Sequence, residues 1–277
     1  MFRHTRMARN ISKYLELLPD RIYLFIYPKL LSIVNKNRKP LTVNFSKSKK
    51  DVYLAQDKVY GALYFYEKIR MELYCWPNGV SKRIDSVKEK YEYANVRVRL
   101  GDTVVDVGAN IGEFSIAISQ LAKNIYAFEP DPVPFNCLKT NTENKSNIHS
   151  NKIALSDRSE DLTFYFAPKT ADSSIVEPDV PYDKKIIKAI TLDDFFINNE
   201  RVDFLKIEAE GWEPEVLRGA KRLLTTTVRD VAVDAGPERK GQNTIDEVTK
   251  ILQSHSFNVI VSGNMVFANK VIVNNKL

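Results

Sequence analysis

The chain has 277 residues, of which 44% are hydrophobic and 27% are charged, and it contains 12 prolines and 10 glycines. This length and balance fit a catalytic domain with an accessory segment and exclude a fibrous protein, a mini-protein and a disordered chain. The two cysteines, Cys75 and Cys137, lack CxxC spacing, which excludes a disulfide framework and a cysteine zinc site. They favour a reducing compartment, so we expect a cytoplasmic protein.

The net charge of +6 is concentrated at the N-terminus. Residues 1–50 contain 12 Lys or Arg against Glu16 and Asp20, a net charge of +10. Residues 51–277 contain 29 Lys or Arg against 33 Asp or Glu, a net charge of −4. A nucleic-acid enzyme needs a basic surface around its active site, so the acidic remainder of the chain argues against a nucleic-acid partner.

An aromatic and apolar run, residues 22–34, lies inside the basic segment. It is too short to cross a bilayer, it is interrupted by Pro28 and Lys29, and no signal-peptide cleavage site follows it. Two interpretations stay open. The segment is either a helical pair that caps the catalytic domain or a peripheral anchor at the inner face of the membrane. In the anchor, Lys and Arg would meet anionic lipid while Tyr23, Leu24, Phe25 and Leu30 enter the headgroup boundary.

The elements predicted along the rest of the chain alternate between strand and helix. Residues 51–100 contain mixed strands and then a helix at about 81–97. We expect further strands at 103–107, 124–128, 149–155, 162–167, 186–190, 204–207 and 230–234, helices at 113–121, 132–144, 192–198, 214–224 and 244–255, and a closing hairpin at 258–261 and 265–269. This alternation predicts an α/β fold with a doubly wound, Rossmann-like sheet that is mostly parallel with an antiparallel end. The chain then divides into a basic segment (1–50), a lead-in segment (51–100) and a catalytic domain (101–277).

Two loops at the predicted carboxyl ends of the first strands favour an adenosine-containing cofactor. The loop Asp106-Val-Gly-Ala-Asn-Ile-Gly112 combines glycines that allow close backbone approach with the start of a helix. It lacks the GxGxxG spacing of pyrophosphate sites, and its leading carboxylate suits a ligand with a cationic group. Glu129 lies 21 residues after Gly108, at the end of the second strand, where a carboxylate can accept two ribose hydroxyls.

Five stretches of the sequence carry a resemblance to a known family. They are Val105-Asp-Val-Gly-Ala-Asn-Ile-Gly112, Phe128-Glu-Pro-Asp-Pro132, Ala154-Leu-Ser-Asp157, Thr191-Leu-Asp-Asp194, and Leu205-Lys-Ile-Glu-Ala-Glu-Gly-Trp-Glu213 followed by Val216-Leu-Arg-Gly-Ala220. In this order and spacing they resemble the FkbM family of S-adenosylmethionine-dependent methyltransferases, over about residues 89–270. The resemblance implies a class I methyltransferase sheet and S-adenosylmethionine as cofactor.

The resemblance also implies roles for individual residues. The methionine end of the cofactor would be held by the glycine loop and the start of its helix, at Asp106, Gly108, Asn110, Gly112 and Glu113, the ribose by Glu129 and the adenine edge by Asp157. One departure stands out: the family usually has Asp-Val-Glu-Gly where this chain has Glu208-Ala-Glu-Gly211. The carboxylate at residue 208 is therefore one methylene further from the backbone.

Methyl transfer to a hydroxyl requires an aligned acceptor, exclusion of water and a group that takes the hydroxyl proton. The three histidines, His4, His149 and His255, lie away from the predicted site. A carboxylate base, or a carboxylate-bound divalent ion for which no ligand set is assigned, is therefore favoured.

The candidate catalytic residues are Glu208 and Glu210 at the end of the fourth core strand, with Lys206 just behind them. The alternative is a salt-bridged loop in which Glu210 and Glu213 cap the following helix. Two further loops, residues 170–174 and 234–238, could cover or line the acceptor pocket, and Trp212 could stack on a sugar.

The sequence thus predicts an O-methyltransferase that acts on a carbohydrate hydroxyl, on a lipid-linked saccharide or a cell-surface glycan. A first alternative keeps the reaction and changes the acceptor to an RNA ribose or a small metabolite. A second alternative is a non-catalytic, cofactor-binding scaffold that has lost its chemistry through the change at Glu208.

Overall fold

The computed structural model describes residues 18–34, 43–58, 60–74, 79–167, 173–177, 182–198, 200–239 and 241–270. These residues form two compact units, divided between Ser86 and Val87. The predictions for the basic residues before residue 18 and for residues 170–172 lie outside the described ranges. The division of the chain at residues 50 and 100 stays a prediction.

The first unit contains helix α1 (Asp20–Val34) and an antiparallel meander of β1 (Val43–Lys49), β2 (Val52–Asp57) and β3 (Gly61–Tyr66), followed by a 3-10 helix (Lys68–Tyr74). Alternate residues of β2 and β3 are buried, as expected for a sheet with one apolar face. No helix in the described part of the chain is long and apolar enough to cross a membrane.

Helix α1 presents two different faces. Tyr23 is fully buried and its ring stacks on that of Tyr27, with centroids 4.9 Å apart. Tyr23 therefore does not face solvent, contrary to the prediction that it enters lipid. Ile22 and Phe25 lie on the opposite face and are 43% and 65% exposed.

The second unit begins inside helix α2 (Gly79–Lys90), which ends seven residues before the end of the helix predicted at 81–97. Ala94 has a φ of +52°, and the backbone groups of Tyr93 and Val96 exchange hydrogen bonds. These features form a tight turn, which cannot continue a right-handed helix.

The strands of the second unit are β4 (Thr103–Val107), β5 (Asn124–Phe128), β6 (Ile148–Asn151), β7 (Ala154–Leu155), β8 (Glu160–Phe166), β9 (Asp183–Ile190), β10 (Phe204–Ile207), β11 (Asp230–Asp234), β12 (Phe257–Ser262) and β13 (Met265–Lys270). Seven of them form one sheet in the order β12-β13-β11-β10-β4-β5-β6. The pairs from β11 to β6 are parallel, and β13 is antiparallel to both of its neighbours. The predicted mostly parallel sheet with an antiparallel end is confirmed.

The helices of this unit are α3 (Glu113–Ile118), α4 (Pro132–Thr142), α5 (Leu192–Phe195), α6 (Glu213–Arg218), α7 (Lys221–Thr226) and α8 (Ile245–Ser254). Two predicted elements are divided. The strand predicted at 149–155 becomes β6 and β7, because β6 pairs with β5 while β7 pairs with β9 in a second sheet of β7, β9 and β8. The helix predicted at 214–224 breaks at Gly219, where a Cβ would lie 2.0 Å from the carbonyl oxygen of Ser156.

The central strands are buried on both faces, as expected for a parallel sheet covered by helices. Their side chains alternate between two apolar layers: Val105, Leu205 and Val231 pack with Leu217 and Leu223, whereas Val104, Phe204 and Ala232 pack with Phe114 and Ile118. Polar side chains follow where these strands end. The carboxyl edge of β5, β4, β10 and β11 is therefore where chemistry can take place.

Candidate active site

The loop after β4 depends on a close backbone contact. Gly108, Asn110 and Gly112 have φ values of +67°, +52° and +91°, which turn the chain sharply towards α3. A Cβ on Gly108 would lie 1.8 Å from the backbone carbonyl oxygen of Glu208. The loop after β4 therefore lies directly against the loop after β10, and only glycine fits at the point of contact.

The buried side chain of Lys206 contacts both of these loops. It is 2% exposed, and its Nζ donates to the carbonyl oxygens of Val107 (3.0 Å) and Gly108 (2.8 Å). The parallel register sets Lys206 beside Asp106, whose Oδ1 lies 3.0 Å from Nζ, and Glu208 Oε2 lies 3.6 Å away. A buried ammonium with these partners fixes the position of both loops. The predicted catalytic role of Lys206 stays a prediction.

Asp106 faces the same interior. It is fully buried, and its Oδ2 accepts a 2.6 Å hydrogen bond from the hydroxyl of Ser115 in α3. Glu113, the first residue of that helix, is also buried. The predicted roles of both residues toward the methionine end of a cofactor stay predictions.

Glu129 connects the ends of β4 and β5. Its Oε2 accepts from the backbone N–H of Asn110 and its Oε1 from that of Asp131, both at 2.9 Å. Burial raises the pKa of Glu129 to about 8, although both N–H groups favour the carboxylate. Each oxygen still has acceptor capacity, and Asn110 Oδ1 is buried without a hydrogen-bond partner among the described residues. This corner fits a pair of ribose hydroxyls.

The predicted role of Asp157 at the adenine edge stays a prediction. This residue is exposed in the turn between β7 and β8, where its carboxylate lies 3.4 Å from the hydroxyl of Ser156. Ser156 also accepts from the indole N–H of Trp212 at 3.3 Å. Trp212 is partly buried against the core, with the guanidinium of Arg239 5.8 Å from its ring centroid, so its packing favours a structural role over sugar stacking.

Glu208 forms the centre of a charged cluster at the ends of β10 and β11. Lys90 Nζ lies 2.7 Å from Glu208 Oε1 and 2.8 Å from Asp234 Oδ2. Lys90 and Lys206 both approach the ring of Tyr91, with Nζ 4.9 and 5.1 Å from its centroid. Burial would raise the pKa of Glu208, but Lys206 and Lys90 outweigh it and lower this pKa to about 2. Glu208 is therefore a stable anion and a weak base at neutral pH.

Glu213 forms the hydrogen bonds that hold the rest of the acidic loop, residues 208–213, in place. Its Oε1 accepts from the backbone N–H groups of Ala209 (3.1 Å) and Gly211 (2.8 Å), and its Oε2 accepts from the hydroxyl of Thr244 (2.8 Å). Burial raises the pKa of Glu213 despite these donors. Glu213 thus fixes the loop that precedes α6, whereas α6 itself has no side-chain cap hydrogen bond, so the prediction that Glu213 caps this helix is wrong.

Glu210 lies in the same loop with a φ of +48°, and its carbonyl oxygen accepts from the hydroxyl of Ser174 at 2.8 Å. The neighbouring Ser173 hydroxyl donates to Asp131 Oδ2 at 2.7 Å. These two serines, from the predicted acceptor loop, therefore connect the loop after β5 to the loop after β10.

Sequence reasoning missed Lys90, because 118 residues separate it from Glu208 and no local pattern marks it. Within the ranges that the structure describes, no group of three or more His, Cys, Asp or Glu side chains could hold a metal ion.

The fold and the site together define the class of protein. A sheet with the parallel order β11-β10-β4-β5-β6 and a reversed β13, with a glycine loop after β4 and a carboxylate after β5, is that of a Rossmann-like methyltransferase. The sequence profile of the methyltransferase FkbM domain matches residues 106–259, more than half of the chain. The chain belongs to the FkbM family and is an S-adenosylmethionine-dependent methyltransferase, as its motifs predict.

Three known proteins are similar to this chain. The chain is 24% identical over 212 residues to the 31-O-demethyl-FK506 methyltransferase FkbM of Streptomyces tacrolimicus, covering 64% of this chain and 80% of that protein. It is 30% identical over 155 residues to the hexuronic acid methyltransferase AglP of Haloferax volcanii, covering 54% and 61%. The crystal structure of methyltransferase FkbM from Methylobacillus flagellatus matches with a TM-score of 0.46 at 18% identity, covering 63% and 45%.

The raised pKa of Glu129 predicts a pH-dependent affinity for the cofactor product, S-adenosylhomocysteine. The ribose hydroxyls need the ionised carboxylate of Glu129 as acceptor. Below the Glu129 pKa of about 8, this side chain is protonated in the free protein and must lose its proton when the ligand binds. Affinity should therefore rise by up to about tenfold per pH unit towards pH 8 and then level off. In Glu129→Gln the slope should disappear and binding should weaken by about 1.5–3 kcal/mol.

Calorimetry between about pH 6 and pH 8.5 measures both effects. Glu143→Gln, at an exposed carboxylate, is the matched control and should keep the wild-type slope. Equal affinity of the wild-type protein across this range would contradict the assignment of Glu129 to the ribose.

Proposed function

We propose that the enzyme transfers the methyl group of S-adenosylmethionine to a hydroxyl of a carbohydrate. The observation that carries this proposal is the charged cluster of Lys90, Glu208 and Asp234, which the contact of Gly108 with the carbonyl oxygen of Glu208 joins to the glycine loop. When bound, the cofactor supplies a methyl group on a sulfonium. Glu129 and the glycine loop would hold the cofactor, and the acceptor would lie over β10 and β11.

The charged cluster suits a polyhydroxylated acceptor. Carboxylates at Glu208 and Asp234 accept hydrogen bonds from hydroxyls, and the ammonium of Lys90 between them donates. The name of one relative, a hexuronic acid methyltransferase, supports a carbohydrate acceptor, and the name of another, a 31-O-demethyl-FK506 methyltransferase, supports transfer to an oxygen. An RNA acceptor is less well supported, because residues 51–277 carry a net charge of −4 and RNA binding depends on neutralising phosphates.

The acceptor class is tested by mass spectrometry of surface and lipid-linked saccharides from cells with and without the gene. We expect the cells without it to lose one methyl substitution from a saccharide. The purified enzyme should then restore that substitution, with a radioactive methyl label, to the saccharide fraction of those cells. An alkali-stable label identifies a methyl ether on a hydroxyl, whereas an alkali-labile label identifies an ester on a carboxylate. Identical saccharides in both cell types would contradict the proposal.

The catalytic role of the acidic loop is tested with Glu208→Gln and Glu210→Gln. Both changes keep the shape of the side chain but remove its charge. We expect Glu208→Gln to lower turnover, because Lys90 and Lys206 lose the anion that fixes them at the acceptor side. Glu210→Gln is expected to lower turnover as well, with affinity for S-adenosylhomocysteine within a few-fold of wild type in both variants. If both variants keep wild-type turnover, the residues that bind and activate the acceptor lie elsewhere.

We also propose that residues 1–50 attach the enzyme to an anionic membrane surface. Support comes from their net charge of +10 and from the exposed face of α1, where Ile22 and Phe25 lie with Arg21 and Lys29. The ammonium of Lys29 lies 3.4 Å from the Phe25 ring centroid. Apolar side chains flanked by cations suit shallow insertion next to lipid phosphates, with each charge contributing about 1 kcal/mol.

Co-sedimentation with phosphatidylglycerol vesicles tests this attachment. Binding of the full chain should fall as salt rises, because salt screens exposed charges. Ile22→Ser combined with Phe25→Ser should weaken binding at every salt concentration. Ile197→Ser, at a residue that is 71% exposed in the other unit, should bind like wild type. Sedimentation that is equal for all three proteins, or absent for all, would leave α1 as a structural element only.

A further inference from the structure

We propose that Glu238, in the loop after β11, is the catalytic residue that takes the proton from the acceptor hydroxyl. This inference rests on the proposed function, since a proton acceptor is needed only if the acceptor is a hydroxyl. It also departs from the prediction that Glu208 or Glu210 is the base.

The first argument is the position of the Glu238 side chain. Its carboxylate folds back over Gly236, where a Cβ would lie 2.1 Å from Oε1. Its Cβ lies 3.4 Å from the place that a Cβ on Gly211 would occupy. The side chain thus lies between its own loop and the loop after β10, and in this position its carboxylate occupies the space that a Cβ on Gly236 would need.

The second argument is an unused acceptor atom. Glu238 Oε2 is buried and has no hydrogen-bond partner among the described residues. A buried carboxylate oxygen without a donor is costly and is retained where a ligand supplies the donor. The hydroxyl of an acceptor is such a donor.

The third argument is the order of the strands. The proposed cofactor residues Asp106 and Glu129 lie at the carboxyl ends of β4 and β5, so we expect the acceptor to approach from a neighbouring strand end. Strands β10 and β11 lie on the side of β4 that is away from β5. Glu208 follows β10, Asp234 ends β11 and Glu238 lies in the loop after it, which sets Glu238 on the acceptor side.

The charges around Glu238 make it a better base than Glu208. Burial, together with the negative charges of Glu213, Asp234 and Glu208, raises the pKa of Glu238 to about 7. The cation next to it in sequence, Arg239, is directed away to the carbonyl oxygen of Gly211 and to Glu215 and Glu247. A pKa near the working pH balances the fraction ionised against basicity, whereas the pKa of about 2 at Glu208 does not.

The proposed step balances without a further reactant. The acceptor oxygen forms a bond to the methyl carbon as the bond from that carbon to sulfur breaks, and the electron pair of that bond remains on the sulfur, which becomes a neutral thioether. The hydroxyl proton moves to the carboxylate of Glu238. The resulting carboxylic acid releases the proton to water before the next turnover.

The experiment compares wild type with Glu238→Gln, Glu238→Asp and the exposed control Glu143→Gln in the full chain. The probe is the saccharide fraction of cells that lack the gene, labelled with radioactive methyl at saturating cofactor and at varied pH. Wild-type turnover should rise with pH through about pH 7 and then level off. Glu238→Gln should lose about 10²–10⁴-fold in turnover and lose this rise, while its affinity for S-adenosylhomocysteine stays unchanged.

The remaining outcomes separate the role of Glu238 from the proposed transfer to a hydroxyl. Glu238→Asp, which keeps an acid, should retain a pH-dependent rise at reduced turnover, and it serves if Glu238→Gln does not fold. Wild-type turnover and pH profile in both Glu238 variants would overturn the role of Glu238 alone. An alkali-labile product, or no labelled saccharide with the wild-type enzyme, would instead overturn the proposed hydroxyl transfer and the role of Glu238 with it.

Discussion

The buried ammonium of Lys206 is the interaction on which the site depends. It donates to the carbonyl oxygens of Val107 and Gly108 and pairs with Asp106, and this fixes the glycine loop at the ends of β4 and β10. The same loop must then accept the carbonyl oxygen of Glu208 against Gly108, a contact that no larger residue allows. The glycine loop and the loop after β10 are therefore one packed unit, and a displacement of either loop moves the other.

Three carboxylates near this unit are set to different protonation behaviour by their surroundings. Burial raises the pKa of Glu129 to about 8, so a ligand that donates hydrogen bonds to it must displace a proton. Two lysines lower the pKa of Glu208 to about 2, which makes it a permanent anion. Burial and neighbouring anions raise the pKa of Glu238 to about 7. Carboxyl groups whose pKa values are separated in this way can take different roles at one pH.

Much of the fold could be predicted from the sequence, because the central strands are continuous buried runs. The strands predicted at 103–107, 124–128, 204–207 and 230–234 coincide with those of the structure. The sequence also predicted that the glycine loop and Glu129 are adjacent, because neighbouring parallel strands end at the same edge of a sheet. The rest depends on packing between distant residues: Lys90 meets Glu208 across 118 residues, and the break at Gly219 arises from the carbonyl oxygen of Ser156. No local pattern carries such contacts.

The contact between Gly108 and Glu208 is tested most directly by binding of S-adenosylhomocysteine to Gly108→Ala, with Gly263→Ala as the matched control. Both glycines have positive φ, +67° and +61°, so both substitutions carry the same backbone strain of about 1–2 kcal/mol. A Cβ at Gly263 meets no atom within 4 Å, whereas a Cβ at Gly108 meets the Glu208 carbonyl oxygen at 1.8 Å. We expect Gly108→Ala to lose binding and Gly263→Ala to retain it. Wild-type affinity in Gly108→Ala would contradict the coupling of the two loops.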